Sequence, residues 1–211
     1  MIATYLRPKY LLFAIVGFMM LLVMYSNERF LINMNDPKWL HYASFKWWLL
    51  PHGVAGALAL FLGPLQFSDR LRNRFRKWHR VAGRIYVAGA LLAATLGIYI
   101  QQRLGPPPLI TVIRADGALL IFTTSMGLWM AMSGNIQAHK QWMTRSYAVA
   151  IVFLEVRCIA AIPFLNNMVA DNSVADIWSC LVLSVVLADT ILQLEPMLKR
   201  RRQPNAKHAT A

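Results

Sequence analysis

Apolar residues run along this chain in long blocks separated by short polar breaks, and the charges collect in the breaks. Six blocks, at about 10–25, 47–67, 81–100, 113–133, 145–165 and 175–195, approach or reach membrane-crossing length. A helix needs roughly 20 residues to cross a hydrocarbon core of about 30 Å. The pattern therefore predicts an all-α fold: a polytopic membrane helix bundle with six transmembrane helices, in one domain spanning 1–211. Small or polar residues recur along one face of several blocks. His52, Gly56 and Leu60, with Gly53 and Ala57 beside them, mark the second; Gly83, Val87, Ala90, Ala94 and Gly97 mark the third; Asp116, Leu120, Thr123 and Gly127 mark the fourth. Such stripes let neighbouring helices approach closely in lipid. The breaks read as turns and loops. Gln101–Pro108 holds three consecutive prolines and reads as a turn. Asn27–Lys46 carries Trp39, His41 and Tyr42, which suits an external loop at the membrane interface. Asn166–Ala175 reads as an acidic external loop. Arg7 and Lys9 precede the first block, and no small-x-small cleavage site follows it, so it reads as an uncleaved anchor.

The polar breaks are unequal, and their charge predicts orientation. Asp69–Arg84 alone carries seven cations: Arg70, Arg72, Arg74, Arg76, Lys77, Arg80 and Arg84. Under the six-span reading, sixteen basic side chains fall on the side of both termini, including the basic tail 199–211, and five on the other. Basic residues beside spans are retained in the cytoplasm, so both termini are expected there. With 57% apolar and only 15% charged residues, no soluble domain is left over. The formal charge of +13 flanks apolar spans, which points to the lipid bilayer and anionic lipid headgroups as partners and away from nucleic acid. A homo-oligomer or a larger membrane complex is the remaining partner class. No Gly-x-Ser-x-Gly, phosphate-binding loop, HExxH or CxxC is present, so soluble-enzyme chemistry has no foothold.

Candidate chemistry lies in two groups. His52, Asp116, Glu155, Arg157 and Asp189 fall inside apolar blocks, where ionisable side chains are expensive and face the bundle interior. Arg157 stands about 18 Å from the inner end of its span, which places it with His52 and Asp116 in the outer half. Arg157 is expected to pair with Asp116, Glu155 or Asp189. One reading is an ion pair that locks helices together; the other is a ligand or proton site, in the extreme a small-solute or proton-coupled transport path through His52, Asp116, Arg157 and Asp189. The second group is cytoplasmic: His79 with Arg80 and Arg84 at the start of the third span, and His139 with Trp142, Arg145 and Tyr147 at the start of the fifth. The bland reading is interfacial histidines bonded to carbonyls or headgroups. The sharper one is a metal site, or a haem b ligated from both faces, with Arg80, Arg84 and Arg145 pairing with propionates. Cys158 and Cys180 lie at similar depth on adjacent spans, and free buried thiols are favoured over a disulfide.

These residues also fall into an ordered series. His52-Gly53, Gly63-Pro64-Leu65-Gln66-Phe67, His79-Arg80 with Gly83-Arg84 and Tyr86, His139 with Trp142-Met143, Arg145-Ser146-Tyr147, and Arg157 follow one another in the chain. Together they resemble the bacterial multi-pass membrane family catalogued as domain-of-unknown-function family 2306, over about 51–163. The resemblance implies a bacterial inner-membrane protein without an assigned activity, and it singles out His52, His79, His139 and Arg157.

Overall fold

The computed structural model describes residues 8–26, 33, 35–168 and 173–201. Its helices are α1 (Pro8–Ser26), α2 (Pro37–Tyr42), α3 (Lys46–Gln66), α4 (Asp69–Arg74), α5 (Arg76–Leu104), α6 (Pro107–Met132), α7 (Ile136–Ala161), α8 (Pro163–Met168) and α9 (Ser173–Arg201), with a 3-10 turn at Ala43–Phe45. No strand occurs among the described residues. Four helical stretches are long and apolar enough to cross a membrane: 43–66, 76–104, 107–132 and 174–194. The stretch Phe13–Ser26 is a shorter apolar helix. Helix α7 is as long as its neighbours but carries Arg145, Glu155 and Arg157.

Several helices outrun their apolar blocks, because hydropathy marks only what sits in hydrocarbon while a helix continues into the interface. The predicted loop 69–80 is instead the short α4 followed by the first turns of α5, so His79 is helical. The predicted turn at Gln101–Pro108 shrinks to Gly105 and Pro106. Pro107 and Pro108 open α6, where a missing N–H is harmless. His139, expected in a connection, lies in the first turn of α7. The expected loop 27–46 is partly helical, with α2 and the 3-10 turn in it. Residues 1–7, 27–32, 34, 169–172 and 202–211, which include Arg7 and most of the basic tail, lie outside the described residues.

Helix α5 packs between α3 and α6, and α7 packs on α6, α9 and α1 while also touching α3. The main core joins Ala59, Tyr86, Ala90, Ala94, Val112, Leu120, Tyr147, Val149, Val152, Ile177 and Leu181. A second cluster seats Val16, Met20 and Val23 of α1 against Leu60, Leu154 and Cys158. Without a hydrophobic drive between helices in lipid, such packing relies on close approach over small residues. At Gly89 a Cβ would stand 2.7 Å from the Ala55 carbonyl oxygen, so α3 and α5 meet backbone to backbone there. The charged central helix α7 is the one most surrounded by others, which is how a bundle shelters polar side chains.

Candidate functional site

Two sharp turns build the site at the basic end of the bundle. Ser68 caps α4, its hydroxyl accepting from the Leu71 N–H at 3.4 Å, and the chain bends at Phe75. Helix α5 begins at once, and the His79 N–H bonds to the Phe75 carbonyl at 3.0 Å. Between α6 and α7 the chain reverses at Gly134, whose φ of 76° favours glycine. Asn135 then caps α7, its side chain accepting from the Ala138 N–H at 3.1 Å. This reversal folds His139 back onto α6, where Nδ1 lies 2.8 Å from the Gly127 carbonyl oxygen. A carbonyl only accepts, so Nδ1 is the donor in this contact, and in a neutral ring that leaves the lone pair on Nε2.

His79 lies within electrostatic reach of both His139 and Arg72, so the two histidines share one end of the bundle, from helices that are not sequence neighbours. The His79 Nδ1 atom is buried without a hydrogen-bond partner. Arg80 and Arg84 are exposed beside it. Arg145 is committed elsewhere: its Nε donates to Asp189 Oδ1 at 2.8 Å, and its guanidinium lies 5.1 Å from the centre of the Trp142 ring. Among the described residues, no group of three or more His, Cys, Asp and Glu side chains gathers as a metal cage.

The intramembrane polar residues do not form one cluster. His52 Nδ1 donates to the Ala93 carbonyl at 2.9 Å, and the ring sits over Gly97, where a Cβ would be 3.0 Å from Cε1. Arg157 is within electrostatic reach of His52 and lies over the Phe153 ring, 5.2 Å from its centre. Asp189 instead belongs to Arg145. The reason is depth: the two stand about 14–18 Å from the basic ends of α7 and α9. Glu155 accepts the Ser184 hydroxyl, with Oγ 2.8 and 2.9 Å from its two oxygens. Asp116, expected near the outer helix end, lies about 13 Å inside α6, because that helix starts at Pro107. Its Oδ1 is buried without a partner, and the next residue, Gly117, is where α6 admits Ile98 of α5. Cys158 and Cys180 are both free; the Cys158 thiol points at the Met19 carbonyl, 3.8 Å away.

Sequence reasoning gave no role to three residues of this site, although Ser146 and Gln66 stand in the motif series. Ser146 and Thr124 are fully buried, and with Tyr86 they form a hydroxyl chain across three helices. Tyr86 Oη is 2.8 Å and Thr124 Oγ1 2.7 Å from Ser146 Oγ. Tyr86 follows His79 by seven residues and Ser146 follows His139 by seven, so the chain lies two turns beneath the histidines on the same faces. Beside it the Tyr147 hydroxyl donates to the Leu60 carbonyl at 3.3 Å, its ring filling the space left by Gly63. The third residue is Gln66, which ends α3. Its carboxamide lies against Gly83, and its Nε2 is buried without a partner. The signal for Ser146 and Gln66 was their place in that series, and the signal for Thr124 was a polar residue inside an apolar block.

No curated protein sequence and no solved structure matches the chain. The family described as "Predicted membrane protein (DUF2306)" matches residues 49–192, which extends beyond the motif series to take in α9 with Ser184 and Asp189. The histidines His52, His79 and His139, the hydroxyl chain and the Arg145–Asp189 pair therefore all lie within the match, and the chain belongs to the DUF2306 family of predicted membrane proteins.

Proposed function

We propose that this protein is a six-span membrane protein of the bacterial inner membrane, with both termini cytoplasmic, and that His79 and His139 bind a haem b between them. The observation that carries this reading is the posture of His139. A ligating imidazole characteristically gives its other ring N–H to a carbonyl, which fixes the tautomer and aims the free nitrogen. His139 does this with Gly127, within electrostatic reach of a second imidazole. Two imidazoles from α5 and α7, without a third ligating side chain gathered beside them among the described residues, are a donor set that would hold a haem more readily than a tetrahedral ion. Arg80 and Arg84, exposed at the same end, are the cations for its propionates, while Arg145 serves to hold α7 to α9.

A haem held this way supplies one-electron chemistry. The chain's own residues orient it: Gly127 sets the His139 ring, and the hydroxyl chain of Tyr86, Ser146 and Thr124 ties α5, α6 and α7 together below it. Protein purified with haem available is expected to show a Soret band that His79→Ala and His139→Ala each abolish, with helical content retained. A colourless wild-type preparation after haem reconstitution would sink the reading.

A further inference from the structure

At the basic end, the last turn of α3 and the first turns of α5 enclose two buried nitrogens with nothing to bond. One is Gln66 Nε2 and the other His79 Nδ1. Both adjoin Gly83. Gln66 Oε1 lies 3.3 Å from where a Gly83 Cβ would stand, and His79 is one turn earlier on the same face. Buried polar groups are almost always bonded, because leaving one unsatisfied costs about 1–3 kcal/mol. Two such orphans, one on the last turn of α3 and one on the first turn of the α5 helix it packs against, describe a place where an external atom bonds.

The surrounding chemistry selects that atom. An amide Nε2 only donates, so its partner is an acceptor. Arg72 is within electrostatic reach of His79, and Arg80 and Arg84 are exposed on the same turns, so the field favours negative charge. We propose that Gln66 is a ligand-binding residue of the histidine site, its amide donating to an anionic oxygen, carboxylate or phosphate, of the group bound there. This deepens the preceding reading and rests on it only for where the ligand sits. A haem propionate and the phosphate of a small anion or lipid headgroup share the chemistry, and the experiment separates them.

Purified protein is titrated with haem b and with haem b dimethyl ester, whose propionates carry no charge, and binding is followed at the Soret band. Gln66→Leu is expected to weaken haem b about tenfold or more, the loss of one bond to a charged acceptor, and to leave the ester nearly unchanged. Gln66→Glu, which keeps the shape and repels an anion, is expected to lose at least as much and serves if Gln66→Leu does not fold. Equal losses for acid and ester mean a structural role and overturn the proposal. If wild type binds neither, the haem reading fails by itself, and thermal unfolding with inorganic phosphate or short-chain phosphatidylglycerol becomes the test. A rise in melting temperature in wild type that Gln66→Leu and Gln66→Glu lose upholds Gln66 as an oxyanion donor. No rise with either probe, or the same rise in all three proteins, overturns it.

Discussion

Glycines in this bundle divide by what a methyl group would meet. At Gly89 it would meet the Ala55 carbonyl oxygen at 2.7 Å, which can yield only if α3 and α5 part. Gly53 has nothing within 4 Å. Gly89→Ala is therefore expected to destabilise the protein by about 1–3 kcal/mol through overpacking. Gly53→Ala should be neutral, or stabilising by up to about 1 kcal/mol through helix propensity. Thermal unfolding in detergent micelles compares the two. Equal effects would mean that the α3–α5 contact is looser than the structure has it. Sequence patterning put Gly53 on a contact face and left Gly89 out of the α5 stripe, because spacing defines a face without saying which neighbour covers it. The hydroxyl chain was illegible for the same reason. Ser146 meets Tyr86 and Thr124 only after three helices are rotated and shifted into register, and no single helix carries that information.

Among elements, the α7–α9 seam is held by polar pairs at two depths, Arg145 with Asp189 and Glu155 with Ser184. Antiparallel helices meet residues at equal depth, so Asp189 takes Arg145. The Arg145 and Asp189 side chains are 27% and 43% exposed, so neighbouring helices enclose the pair only in part. A double-mutant cycle with Arg145→Leu and Asp189→Leu, read by thermal unfolding, should give a coupling energy of about 1 kcal/mol. Strictly additive single effects would show that the pair contributes no specific attraction. Which blocks become helices was legible, since each predicted span lies within or largely overlaps a helix. Their ends were not. Arg76–His79, Pro107 with Pro108, and Ile136–Thr144 are helical although they lie outside the apolar blocks, because helix propensity and capping by Asn135 act beyond the reach of hydropathy.

For the whole molecule, orientation rests on the excess of basic residues at one end. Reporter fusions test the proposed topology. Green fluorescent protein should fluoresce at both termini, while alkaline phosphatase should be active only when inserted in one of the three external segments, at 27–46, at 101–108 or at 166–175. Phosphatase activity at either terminus would contradict cytoplasmic termini. The sequence alone determined the class of the protein, its helical blocks, the charge bias of its ends and the family, because burial in lipid is a property of each segment's own composition. It also nominated His79 and His139. Only the tertiary structure brought these two within electrostatic reach, turned the His139 ring onto the Gly127 carbonyl, gave Asp189 to Arg145 and left Gln66 and His79 with buried, unbonded nitrogens. Each of these depends on how helices distant in sequence rotate and slide against one another. Close packing over small residues and a few internal hydrogen bonds choose that arrangement, and an apolar pattern, which looks the same in many arrangements, does not specify it.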